Sequence, residues 1–192
     1  MPEYAKFIVE QGVAALIFDF RCLGASDGEP RQHLDPWMQI SDYRSAIDAV
    51  CYLDEFKGVL DPKRIGVWGI SYSGGHSLIV GAIDPRVKCI VSHIPIIDGW
   101  YNSMRDHGTV GFRELTALVE EERRQRYLTG VHGTIPHSGD PKKEVVTWPH
   151  PETKPVFMKI KETTAPRHEH FSTIASVEHV WNYNVSPYLP RI

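Results

Sequence analysis

The sequence predicts an α/β fold, a parallel sheet with flanking helices, followed by a helical and loop-rich second half that serves as a lid. Three observations predict it. Apolar runs rich in β-branched residues recur at 13–20, 65–70 and 87–94, and stretches of helical periodicity separate them. Strands that alternate with helices pair in parallel, because the return path needs a long crossover. Beyond Pro95 the alternation stops and prolines become frequent, with Pro136, Pro141, Pro149, Pro151, Pro155 and Pro166. The expected division is a core at 1–98 and a lid-like region at 99–192, within one domain.

The elements follow in order. Pro2 to Gln11 reads as a helix with Tyr4, Phe7 and Ile8 on one face, Pro2 in the first turn and Gly12 as its stop. Val13 to Phe20 is unbroken apolar sequence, the mark of a strand covered on both faces. Asp35-Pro36 opens a helix to about Phe56, with Trp37, Ile40, Ala46, Ile47, Val50, Cys51 and Leu53 at the helical period. Leu60-Asp61-Pro62 turns into the run Ile65 to Ile70, a buried strand, and Ser77 to Ile83 reads as a small-residue helix. Asp84-Pro85-Arg86 turns into Val87 to Ile94, a third buried strand. In the second half Gly111 to Leu128 is one charged helix with Phe112, Leu115, Leu118 and Val119 on a face. The run Glu120 to Arg124 reads as a solvated helix surface. Val131 to Pro166 reads as loop, and Ser172 to Tyr183 as a last helix.

Composition narrows the class. The chain has 192 residues, 42% of them hydrophobic, which suits one domain with a real core. Lys and Arg number 21 against 24 Asp and Glu, a net charge of -3, so nothing favours nucleic acid or an anionic membrane as partner. Cys22, Cys51 and Cys89 are far apart, odd in number and without metal spacing. They read as reduced core thiols of a cytoplasmic protein. No basic-then-apolar leader and no apolar stretch of membrane length is expected.

The chemistry centres on Gly69-Ile70-Ser71-Tyr72-Ser73-Gly74-Gly75. A strand precedes it and a helix follows. This is the context in which a serine at a sharp turn presents its hydroxyl as a nucleophile. Strand and helix nearly touch there, so the residues two before and two after the serine must be small. Gly69 and Ser73 meet that need. The N–H of Tyr72 then points at a substrate carbonyl, and one such donor lowers the barrier by roughly 3–4 kcal/mol. A dinucleotide-binding turn needs Gly-x-Gly-x-x-Gly, and Gly66 and Gly69 have the wrong spacing. No cofactor is expected.

These residues resemble a known family. Asp19-x-Arg21-x-x-Gly24-x-Ser26-x-Gly28 together with the Ser71 motif is similar to the α/β-hydrolase superfamily. Asp27 to Trp37, Tyr43-Arg44 and Asp84 to Cys89 narrow the resemblance to the branch of dienelactone-hydrolase-like and fungal polyketide-transferase-type proteins. The resemblance implies an esterase, thioesterase or acyl transferase, with polyketide-like acyl chains among its substrates. It implies Ser71 as nucleophile, Tyr72 N–H as oxyanion donor and Asp98, after the third strand, as candidate acid. It also implies that Cys22 stands where glycine is usual. Relative to that family the chain is expected to begin after the strand whose loop supplies the second oxyanion donor. It is expected to end before the usual acid and histidine.

The general base stays open. His76 in the elbow helix reads as packing, and His93 follows the third strand. His107, His132, His137, His168 and His170 fall in the lid-like half. An internal histidine, a second copy of the chain in a homo-oligomer, or a further C-terminal part are the three sources. His168-Glu169-His170 is too closely spaced for a helical zinc pair, and no metal is expected. The leading reading is serine acyl transfer on a small-molecule ester or thioester. One rival is a hydrolase-like scaffold that binds, cyclises or isomerises an apolar metabolite. A second rival is a fragment whose edge strands seek partners.

Overall fold

A computed structural model describes residues 2–192. The chain divides into two compact units, one formed by 2–20, 37–97 and 185–192 and the other by 21–36 and 98–184.

The first unit is the parallel core. Helix α1 spans Pro2–Glu10 and stops at Gly12, whose φ of +79° only glycine adopts without strain. Helix α2 spans Pro36–Tyr52, with proline at its first position, where a missing N–H costs nothing. Strand β1 (Ile65–Ile70), helix α3 (Tyr72–Ile83) and strand β2 (Val87–His93) make one strand–helix–strand unit. β1 and β2 pair in parallel from Ile65 opposite Val87 to Ile70 opposite His93. Helix α3 lies on both strands, and its Ile79 and Val80 are fully buried. Gly81 allows the close fit, since a Cβ there would lie 2.1 Å from Ile90 Cδ1. Asp84 shapes the turn after α3. Its carboxylate accepts hydrogen bonds from Arg86 Nε at 2.9 Å and Nη2 at 2.7 Å, which hold it at about pKa 2.

Three expectations fail here. Val13 to Phe20 forms no strand. A ladder needs two backbones about 4.8 Å apart. The run and β1 instead line one apolar cleft of about 910 Å³, and β2 is the one strand that pairs with β1 among the described residues. Leu16 and Ile17 are consequently exposed rather than covered. β2 is a strand but not a buried one: Val91 is open to solvent, and so is Cys89, while Cys51 is half-buried. Only Cys22 is a core thiol.

The second unit has a different core. Helix α4 spans Gly99–Thr129 and ends on Gly130, in the left-handed conformation. It is longer than the sequence suggests, and it is broken at Gly108 (φ 63°, ψ 179°). The break is sharp. The rings of Trp100 and Phe112 lie 4.9 Å apart, whereas a straight helix would separate these positions by about 18 Å. Strands β3 (Thr134–Pro136) and β4 (Phe171–Thr173) pair antiparallel, helix α5 spans Thr153–Thr163, and helix α6 spans Ala175–Trp181. The expected loop therefore contains a strand and a helix, and the expected last helix begins as a strand. Leu115, Val119, Ile135, Ile174 and Val177 form the core.

Glu122 is a further correction to the sequence reading. It is buried, unlike its neighbours in the charged run. Arg126 Nε donates to both its oxygens, at 3.1 and 3.3 Å, and the backbone N–H of Gly133 donates at 3.3 Å. Glu178 closes the network through Arg126 at 3.2 Å and Arg123 at 2.9 Å. Removing Glu122 leaves the Arg126 guanidinium with Glu178 alone and the Gly133 amide without its carboxylate acceptor. Glu122→Ala is expected to lower the unfolding free energy by about 2–3 kcal/mol in urea denaturation, while Glu121→Ala, in open solvent, leaves the midpoint unchanged.

Candidate active site

Ser71 stands between β1 and α3, with φ 56° and ψ −117°. A non-glycine residue in this region is strained, and it persists only where its surroundings over-determine it. Here they do. The Ser71 N–H donates to His93 O at 2.9 Å, and the Ser71 carbonyl accepts from Ile96 N at 3.1 Å and Gly75 N at 3.2 Å. The serine is thus pinned through both backbone groups to the chain that leaves β2, and the residue is exposed.

The small residues have a measurable cause. A Cβ on Gly69 would lie 2.0 Å from Ser73 O, and one on Gly74 would lie 2.9 Å from His93 O. The first matches the expected constraint two residues before the serine. The second falls three residues after it, because Gly74 is where α3 crosses the exit of β2. Tyr72 is the first residue of α3, where helix geometry provides no intrahelical acceptor for its N–H.

His76 is fully buried in α3. Its Nε2 lies 2.8 Å from Gln39 Oε1, and its ring packs against Phe20 and Tyr72. Burial lowers its pKa to about 3, so it is a neutral packing group and not a base for Ser71. His93 is the ladder partner of Ile70 and is exposed at the C-terminal end of β2. Within the first unit these are the two histidines.

Asp98 belongs to the second unit and caps α4. Its Oδ1 accepts from Tyr101 N at 2.9 Å, and its Oδ2 accepts from Asn184 Nδ2 at 3.0 Å. His107 Nε2 lies 2.9 Å from Thr147 O. His137, His168 and His170 cluster with rings 5.6–6.4 Å apart. Burial first, then the other two imidazoles, lowers His137 to about 3. His170 Nε2 meets Ser138 Oγ at 2.9 Å, and Thr153 Oγ1 donates to the same hydroxyl at 2.8 Å. No local motif marks this serine–histidine pair, whose members are 32 residues apart. Ser138 is buried, so the pair is closed to substrate.

Residues 2–148 match the family model described as X-Pro dipeptidyl-peptidase (S15 family). The chain is 41% identical over 104 residues to the quorum-quenching protein AidA of Acinetobacter baumannii, covering 54% of this chain and 33% of that protein. It is 40% identical over 121 residues to thiohydrolase aneE of Aspergillus aculeatus, covering 62% of this chain and 37% of that one. The chain thus spans about a third of the length of these relatives. Its fold matches the crystal structure of the α/β hydrolase GrgF from Penicillium sp. sh18, with a TM-score of 0.74, 22% identity, and coverage of 100% of this chain and 62% of that one.

Two outcomes follow from the turn. Gly69→Ala is expected to lower stability by about 2–3 kcal/mol in urea denaturation, while Gly66→Ala, whose Cβ would meet Cys89 at an ordinary 3.5 Å, changes it by less than about 1 kcal/mol. His76 stays neutral in the folded state down to about pH 3, whereas the unfolded chain protonates it near 6.5. Stability is therefore complete above 6.5 and falls as pH drops toward 3, with a slope of up to about 1.4 kcal/mol per pH unit. In chemical denaturation from pH 7 to 4, His76→Gln is expected to flatten that slope.

Proposed function

We propose, since this chain belongs to the X-Pro dipeptidyl-peptidase (S15) family and has an α/β-hydrolase fold, that it carries the nucleophile of a serine acyl-transfer enzyme. The substrate class is a small ester or thioester, with a polyketide-like acyl chain as the resemblance implies and a thioester favoured by the name of the fungal thiohydrolase relative. One observation carries the reading: an exposed Ser71 held at φ 56° between β1 and α3. Strain of this kind costs about 1–3 kcal/mol and clusters at functional sites, and here the packing that imposes it leaves the Ser71 residue exposed.

The mechanism proceeds from these residues. The Ser71 hydroxyl attacks the acyl carbonyl while a base takes its proton. The tetrahedral oxyanion is held by the Tyr72 N–H at the start of α3, where the positive end of the helix dipole adds to the donor. Collapse expels the alcohol or thiol and leaves an acyl-serine. Water or an acceptor alcohol then attacks, and the acyl group departs as acid or new ester. His76 is a poor base for Ser71, since burial disfavours the imidazolium it would have to become and its Nε2 lies 2.8 Å from Gln39 Oε1. That observation favours the second reading, a scaffold that binds or cyclises an apolar metabolite without an acyl-enzyme.

A fluorophosphonate probe separates the two. It is expected to label the protein at Ser71, with labelling lost in Ser71→Ala and thioester cleavage reduced by at least about 10³-fold. Labelling absent from the folded wild-type chain, or retained in Ser71→Ala, removes the acyl-transfer reading.

A further inference from the structure

We propose that His33, Asp35 and His179 form a site for one divalent transition-metal ion of the zinc type. One ligand atom from each of the three side chains lies within 4.8 Å of the others, the only such group among the described residues. All three belong to the second unit. His33 and Asp35 lie on the loop before α2, and His179 lies in the last turn of α6. All three are half-buried, so an ion can reach them.

The geometry is near that of a loaded site. Tetrahedral zinc with bonds of about 2.0–2.1 Å places its ligand atoms about 3.3 Å apart. His179 Nδ1 is already 3.8 Å from Asp35 Oδ2, and the His33 and His179 rings meet edge to face at 5.1 Å.

The supporting contacts also fit. His33 Nδ1 lies 2.9 Å from Thr173 Oγ1, which lies 2.8 Å from Ser176 Oγ, which in turn accepts from Leu34 N at 2.8 Å. With the proton on Nδ1 donated to Thr173, Nε2 keeps its lone pair for a metal. Bound histidines are typically oriented through their other nitrogen in this way. An independent observation points to the same place. His132 has a ring 5.9 Å from that of His33, and its buried Nδ1 has no hydrogen-bond partner among the described residues. A fourth donor therefore stands beside the three. Two or three imidazoles with one carboxylate suit zinc, cobalt or nickel. They do not suit magnesium or calcium, which prefer all-oxygen shells. The ion would tie the 21–36 loop to α6.

Titration calorimetry of the metal-free chain with zinc chloride tests this. One ion per chain is expected, with a thermal midpoint that rises with zinc and does not respond to magnesium. His33→Ala and His179→Ala are each expected to weaken binding at least about tenfold, and the near-isosteric Asp35→Asn to do the same with unchanged circular dichroism. Cobalt is expected to give visible ligand-field bands that His179→Ala shifts or removes. His170→Ala, at the other histidine cluster, leaves zinc uptake intact. Absence of saturable uptake at one ion per chain overturns the proposal. So does uptake that survives both histidine substitutions, or uptake abolished by His170→Ala instead.

Discussion

The first unit depends on one close approach. Where β1 becomes α3, the chain passes within van der Waals contact of the backbone leaving β2, and no Cβ fits at Gly69 or Gly74. That approach places the Ser71 N–H against His93 O and the Ser71 carbonyl against Ile96 N. Two backbone hydrogen bonds at about 1 kcal/mol each offset a conformational cost of about 1–3 kcal/mol. The strained serine is thus a consequence of the packing, and the packing is a consequence of two missing side chains.

The second unit solves a different problem. It has few strands, so its core is built on a helix that must turn a corner and on a buried ionic group. Glu122 sits inside because two donors meet it there, the Arg126 Nε–H shared between both its oxygens and the Gly133 N–H. A carboxylate without such partners would have stayed outside. The hydrophobic cluster of Leu115, Val119, Ile135, Ile174 and Val177 packs beside it.

Much of this was legible from residue order. Pro36 and Gly12 marked helix ends because proline and glycine act through the local backbone alone. β1, α3 and β2 followed from composition and period, and Gly69 from the steric demand of a sharp turn. The remainder was settled by partners distant in sequence. Val13 to Phe20 has every intrinsic mark of a strand, yet a ladder requires a neighbour, and periodicity carries no information about one. Cys22 looked like a departure at a glycine position, and its φ of +67° shows why glycine suits that place. Nothing near Glu122 in sequence distinguishes it from Glu121. The histidine clusters join residues separated by more than a hundred positions in one case, His33 and Thr173, and such meetings leave no local trace.

The break at Gly108 has an electrostatic consequence. An unbroken α4 would concentrate its dipole at two poles, one at Asp98 and the other near Arg126, where the charges already complement it. Divided, it acquires two further poles at mid-length. The carbonyls just before Gly108 gain negative character, and the amides just after it gain positive character. His107 stands on the negative side of that junction. The interior of α4 thus responds to ions and solvent in a way that the interior of a continuous helix, with its poles far away, does not.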